Sequence, residues 1–157
     1  MNLVTVMNYD WSDRNYLAMC CNWIRHAKIH LSKKDSCFIF CQSRPHPLLG
    51  LFAGNDDRFR FCVRRGLDDS SFVFFPPCGP KSSGKNFTYK LYVACQLDFP
   101  FVFVDADALI VDELSGLQEV LNDLPASFVD HEPDIEGNTV SFPPFINSGV
   151  FLVNDPD

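Results

Sequence analysis

The chain has 157 residues, 46% of them apolar and 14% aromatic, with 20 Asp and Glu against 13 Lys and Arg. That length fits a single domain, residues 1–157, with apolar side chains enough for a proper core and no sign of disorder. A net charge of −7 argues against nucleic acid, whose binders carry basic patches, and no stretch approaches the ~18 uncharged apolar residues of a membrane span.

Strands and helices alternate along the chain. Leu3-Val4-Thr5-Val6-Met7 reads as a strand closed by the polar turn Asn8-Tyr9-Asp10, and it lacks the basic start and long apolar core of a signal peptide. From Tyr16 to His30, Leu17, Cys20, Cys21, Ile24 and Ala27 recur at helical spacing, with Leu31 continuing the series. Cys37 to Cys41 is a second buried strand. The segment with Pro45, Pro47, Gly50 and Gly54 reads as a loop, followed by short strands at 59–63 and 71–75, the latter ended by Pro76-Pro77. A helix is expected over 88–97, a strand over 101–104, a helix over 114–124, a strand over 126–129, an acidic loop, and a last strand over 150–153. Such alternation predicts an α/β fold, a mainly parallel twisted sheet flanked by helices, with ligands beyond the carboxyl ends of the strands.

Seven cysteines, an odd number without a Cys-x-x-Cys pair, sit mostly in apolar runs, where reduced thiols act as small hydrophobes. A reducing, cytoplasmic location is expected, and the sequon Asn86-Phe87-Thr88 matters only outside it.

The chemistry concentrates at Asp105-Ala106-Asp107, which follows Phe101-Val102-Phe103-Val104. Four consecutive apolar residues, all β-branched or aromatic, predict a strand buried on both faces. Carboxylates stay charged at the rim of such a strand when a cation holds them. Residues i and i+2 of an extended chain share a side, so both carboxylates are expected to reach one hard divalent ion, Mn²⁺ or Mg²⁺, that keeps positions open for phosphates. The plainer assignment has Asp107 capping a turn and Asp105 pairing with a nearby lysine. His26 and His30, at i and i+4, fit either a metal or the edge of an amphipathic helix.

Three families carry features of this kind. Residues 101–110 resemble the signature of haloacid-dehalogenase phosphatases, whose first Asp is a nucleophile, but Ala108 replaces the expected Thr or Val and only 50 residues follow Asp107. Gly79-Pro80-Lys81-Ser82-Ser83-Gly84-Lys85 has the spacing of a nucleotide-binding P-loop, but Asn86 stands where a Ser or Thr should meet Mg²⁺.

The third resemblance is to the GT-A-fold glycosyltransferases, and within them to retaining families that include glycogenin, galactinol synthase and α-galactosyl and α-xylosyltransferases. It rests on residues 101–111, on Phe145-Ile146-Asn147-Ser148-Gly149-Val150 with the strand that follows, on Lys90-Leu91 opening a helix, and on the first strand with its polar turn. The resemblance implies a metal-dependent transferase that moves a sugar, with retention, from a nucleoside diphosphate sugar (a UDP-sugar) to a hydroxyl acceptor. Asp105 and Asp107 would hold Mn²⁺ or Mg²⁺, with Asp105 also near the ribose. Lys90, or Lys85 in its place, would meet the diphosphate; Tyr9, Asp10 and Trp11 would take the base; and Asn147, Ser148 and Gly149 would face the sugar. Those families place a third metal ligand beyond the Asn-Ser-Gly strand, where this chain ends. A truncated or naturally short domain, incomplete at its C-terminus, is therefore expected, with His131 and its acidic neighbours as the substitute. A degenerate domain that binds the sugar nucleotide without transfer is the non-enzymatic alternative.

Overall fold

A computed structural model describes residues 1–7, 11–41, 44–63, 90, 93, 94, 96–114, 126–129 and 147–153, with backbone alone for 126–129, 147 and 148. The elements are β1 (Asn2–Val6), α1 (Arg14–His30), β2 (Ser36–Cys41), α2 (Pro47–Ala53), β3 (Phe59–Val63), β4 (Phe101–Val104), β5 (Ala126–Val129) and β6 (Asn147–Val153). The strand expected at 71–75, the helix at 114–124 beyond Leu114, the P-loop-like segment and the acidic loop lie outside the described residues. Of the helix expected at 88–97, Lys90, Val93, Ala94, Gln96 and Leu97 are described; the first three are helical, whereas Gln96 lies in a turn and Leu97 is outside the helix.

The strands form one sheet in the order β3-β2-β1-β4-β6-β5. The chain steps outward from β1 through β2 to β3 by parallel pairings, then returns to place β4 parallel to β1 on its other side. β6 runs antiparallel to both β4 and β5, so the expected mainly parallel α/β sheet is observed with one reversed strand. The reversal of strand order between β1 and β4 opens a crevice at their carboxyl ends, the place where open α/β sheets bind ligands.

The period-two alternation of β4 builds two cores. Val102 and Val104 face the side covered by α1, with Leu3, Met7, Cys37, Ile39 and Cys41. Phe101 and Phe103 face the opposite side, with Val4, Phe40, Val93 and Leu97. There Phe151 of β6 stacks on Phe103 at 4.7 Å and meets Phe101 edge-on at 6.1 Å. All four β4 side chains are buried, which is why that strand reads as a continuous apolar run.

α1 starts at Asp13, whose carboxylate accepts from the amides of Asn15 and Tyr16 at 2.9 and 3.2 Å. It buries Cys20, Cys21, Trp23, Ile24 and Ala27, a stripe at the spacing expected of a helix on a sheet. Burial pushes the Cys20 and Cys41 thiols up to about 12 and raises that of Cys37 as well. These cysteines are free and serve as apolar packing groups.

α2 replaces the loop expected around Pro47. Pro47 occupies the first turn, where its missing amide costs nothing. His46 caps it through Nδ1, which accepts from the Leu48 amide at 3.2 Å. Gly54, at φ +66°, terminates it. The prolines and glycines that suggested a loop are this helix's start and stop signals.

Arg58 locks the far end of α1. Its guanidinium grips the Asp56 carboxylate at 2.7 and 2.9 Å and donates to the carbonyls of Lys28 at 3.0 Å, Ser32 at 3.4 Å and Leu31. This satisfies helix-end carbonyls that have no partner within the helix. The hydrogen bonds from Arg58 hold the Asp56 carboxyl below the usual carboxylate range. Such a group adds stability above its unfolded pKa and loses it as pH falls through the folded value. Arg58→Met should therefore lower stability by about 2 kcal/mol at pH 7 and flatten the acid limb of a plot of Tm against pH between 2 and 5. A variant whose acid limb stays as steep as that of the parent would refute the clamp.

Candidate functional site

β4 delivers Asp105 to the carboxyl edge of the sheet, next to the carboxyl end of β1. The strand stops at Val104. Asp105 to Ala108 then form a turn closed by the Ala108 amide donating to the Asp105 carbonyl at 3.0 Å. The extended geometry expected to place both carboxylates on one side is therefore corrected: a β-turn, not strand pleat, relates Asp105 to Asp107. The ladder with β6 continues one step past Val104, and the Asp105 amide donates to the Gly149 carbonyl at 2.7 Å. The Asp-x-Asp and Asn-Ser-Gly segments are thus adjacent, and Gly149 places no side chain beside the Asp105 turn.

Asn147, Ser148 and Gly149 were expected just before the last strand. They are its first three residues, because the antiparallel pairing with β5 runs down to Asn147 across an irregularity at Phe128 and Val129. For Asn147 and Ser148 the backbone alone is described.

Lys90 lies under the turn. It is buried, its Nζ sits 2.6 Å from Asp105 Oδ2, and it lies 5.1 Å from the centre of the Phe103 ring. The pairing with a lysine foreseen for Asp105 is observed, and the lysine is Lys90, the one expected to meet a diphosphate. Burial raises the Asp105 carboxyl above its ordinary value, the hydrogen bond and charge of Lys90 oppose that rise, and the Asp107 charge adds to it. Asp107 is exposed.

Among the described residues no group of three or more His, Cys, Asp or Glu converges on one point. Two carboxylates on one turn, one half-buried and one exposed, nevertheless form a hard-oxygen donor set. Hard divalent ions bound by one or two carboxylates complete their shell with water and substrate phosphates, and these residues fit that requirement.

Trp11 stands in the segment after β1, at the same edge of the sheet. It is half-buried and packs against Tyr16 and His46, with ring centres 5.9 and 6.3 Å away. Tyr9 and Asp10 lie outside the described residues. His26 is committed elsewhere, its Nδ1 donating to the Ile110 carbonyl at 3.0 Å while its ring stacks on His30 at 6.2 Å. It ties α1 to the segment following the Asp turn, which is the structural use expected of a helix edge.

A pocket of about 320 Å³ that no sequence motif marked lies between α1 and this turn, walled by Asn15, Met19, Asn22 and Trp23 on one side and Ala106 to Leu109 on the other. The signal was present as two asparagines at i and i+7, which share a helix face.

A mainly parallel sheet with a reversed strand beside β4 and a turn at its switch point is the arrangement of a GT-A-like α/β fold. Solved structures with this fold include the galactosyltransferase LgtC in complex with donor and acceptor sugar analogues, at a TM-score of 0.68 and 18% identity. The bifunctional glycosyltransferase WbbM follows at 0.62 and 14%, and the glycosyltransferase GlyE of Streptococcus pneumoniae at 0.58 and 14%. Each similarity covers 98% of this chain, but 58% of LgtC, 31% of WbbM and 33% of GlyE. The chain therefore spans little more than half the length of LgtC. No protein-family model matches the sequence, and no curated protein matches it. The likeness is one of fold. Among the described residues, no helix is long and apolar enough to cross a membrane.

Proposed function

We propose that this chain is the donor-binding region of a glycosyltransferase, taking a nucleoside diphosphate sugar, a UDP-sugar, through Mn²⁺ or Mg²⁺ held by Asp105 and Asp107. The observation that carries this reading is the carboxylate turn after β4, at the β1/β4 switch point of a fold shared with glycosyltransferases. The ion, when bound, supplies positive charge to the diphosphate as it leaves. The chain's own residues do the rest. Lys90 holds Asp105 in place from below, the Gly149 carbonyl fixes the Asp105 backbone, and the segment after β1 with Trp11 faces the nucleoside end. Asn147, Ser148 and Gly149 stand beside the Asp turn, where the sugar would lie. Transfer goes to a hydroxyl acceptor with retention of configuration, as in the families the sequence resembles. The matched structures favour this reading over the phosphatase and P-loop alternatives.

A thermal-shift screen of UDP-, GDP- and CDP-sugars, each with and without Mn²⁺, tests it. A ligand that binds the native state stabilises it by RT ln(1+[L]/Kd), about 2.7 kcal/mol at a hundredfold excess over Kd. UDP-sugars should raise Tm in the presence of Mn²⁺ and have little effect without it. Because two carboxylates alone hold a hard ion loosely, metal and nucleotide should each raise the other's affinity by the same factor. A Tm indifferent to every nucleotide sugar with Mn²⁺ present would refute the assignment.

A further inference from the structure

The charges of this chain are unevenly placed. Residues 14–55 carry six of the 13 Lys and Arg but one of the 20 Asp and Glu. That acid, Asp35, is already held by the Met1 ammonium at 2.9 Å. The six cations, Arg14, Arg25, Lys28, Lys33, Lys34 and Arg44, are all exposed. A chain of net charge −7 therefore has a positive face, made by α1, the turn after it and the approach to α2.

α2 gives this face an apolar edge. Leu49 and Ala53 point into the core under α1, and every other residue of the helix is exposed. A helix against water normally turns polar side chains outward, and α2 has none to turn. Leu48, Leu51 and Phe52 are 40%, 74% and 42% exposed. Positions i, i+3 and i+4 adjoin on a helix, so the three form one patch, the kind of surface that marks an interaction site. On the side of Gly50 the helix stands clear, since an added Cβ would meet nothing within 4 Å. The cations border this patch. Arg44 leads into α2, Lys28 Nζ donates to the Ala53 carbonyl at its end at 3.0 Å, and Arg25 lies one turn before Lys28 on the same flank of α1. Beyond α2, Asp56 is gripped by Arg58, and one exposed acid, Asp57, stands at the border. Leu109 and Val111 are exposed too, but they lie in the segment of the exposed Asp107, Asp112 and Glu113.

An occupant of this face has to be anionic and to offer an apolar phase that asks for no hydrogen bonds. Nucleic acid meets the charge but not Leu48, Leu51 and Phe52. A second copy would bring the same positive face against this one. An acidic protein meets the charge, yet protein interfaces carry about one hydrogen bond per 100–200 Å², and the outward side chains of α2 can make none. A leaflet containing anionic lipid supplies both, phosphates for the cations and acyl chains for the apolar side chains. We propose that the α1/α2 face is a peripheral docking surface for an anionic lipid bilayer. Leu48, Leu51 and Phe52 enter the acyl boundary, and Arg25, Lys33, Lys34 and Arg44 lie at the headgroups. The chain rests on the bilayer and does not cross it. The proposal does not depend on the metal or on nucleotide binding.

Vesicle co-sedimentation of the full chain, free of metal and nucleotide, tests it. The chain should pellet with vesicles of equimolar phosphatidylcholine and phosphatidylglycerol and stay in solution with phosphatidylcholine alone, and raising the salt should release it. Leu51→Gln should weaken binding to the anionic vesicles by about tenfold, the effect of withdrawing one leucine side chain from an apolar phase. Arg25→Gln should weaken it by about fivefold, the effect of one basic residue at an anionic surface. Both positions are exposed, so neither variant should shift Tm. A chain that stays in solution with the anionic vesicles would overturn the proposal, as would equal sedimentation with phosphatidylcholine alone, or Leu51→Gln and Arg25→Gln pelleting like the parent. Retention on a poly-glutamate resin that Leu51→Gln weakens would assign the face to an acidic protein partner and overturn it as well. Because no metal or nucleotide is present, failure here leaves the donor-site assignment standing, and failure of the nucleotide screen leaves this one standing.

Discussion

Asp107→Ala should abolish Mn²⁺-dependent UDP binding while leaving the metal-free chain folded. Asp107 is exposed and beyond the end of β4, so its removal should change stability by no more than about 0.5 kcal/mol, the range for surface positions. It also removes a negative charge that pushes the Asp105 carboxyl up. With one carboxylate instead of two, the donor set for a hard ion is halved, and affinity for such ions follows ligand count and charge. Isothermal titration of UDP with and without Mn²⁺ reads the effect directly. Metal-dependent affinity equal to that of the parent would sink the assignment of Asp107 as a ligand. Asp105→Asn should abolish the same binding but at a further cost in stability, because it removes the ion pair that Asp105 makes with the buried Lys90.

The second large effect concerns Lys90. Lys90→Met keeps much of the side-chain volume against Phe103 but strands the Asp105 carboxylate, 28% exposed, without its ion-pair partner. Breaking a buried pair costs about 3–5 kcal/mol, and the partial exposure of Asp105 places this pair at the lower end. The pH dependence carries the sign. In the variant, burial and the Asp107 charge raise the Asp105 carboxyl and the opposing hydrogen bond and charge of Lys90 are gone, so the folded-state pKa lies above the unfolded value. A carboxyl of that kind is a liability at neutral pH, relieved as pH falls and the folded state takes up a proton. The stability deficit of Lys90→Met should therefore be largest at pH 7 and shrink toward pH 4. Mn²⁺ should recover part of it at pH 7 by resupplying positive charge. Denaturant unfolding at pH 4, 5.5 and 7 checks the trend. A deficit independent of pH would mean that Lys90 stabilises by packing on Phe103 rather than by its charge.

Lys90 and Asp105 together show how the site resists reading from sequence. Fifteen residues separate them, and nothing in the spacing says that the lysine ends beneath the carboxylate rather than beside a diphosphate. The pairing exists because Lys90, Val93 and Leu97 lie on the Phe101 and Phe103 side of β4. That placement follows from how the two faces of the sheet are covered.

Where chemistry is written in local patterns, the sequence determined the outcome by itself. The continuous apolar run at 101–104 could only be a strand buried on both faces, and a buried strand ending in two aspartates marks a site wherever it lies in the fold. The spacing of Cys20, Ile24, Ala27 and Leu31 likewise specified a helix on a sheet, and alternation of elements specified α/β architecture. Three features were decided by tertiary structure alone. The Asp-x-Asp segment leaves the sheet once the Asp105 amide has met the Gly149 carbonyl and bends into a turn closed by the Ala108 amide on the Asp105 carbonyl, which changes how its carboxylates are related. β6 begins at Asn147 because β5 offers it an edge to pair with, so residues expected just before the last strand became part of it. And Trp23, a buried residue of α1, has an indole N–H whose lack of a partner is visible only once every neighbouring element is in place. Local propensity and periodicity act within a few residues, whereas hydrogen-bond satisfaction, strand pairing and ion pairing are settled between segments far apart in the chain.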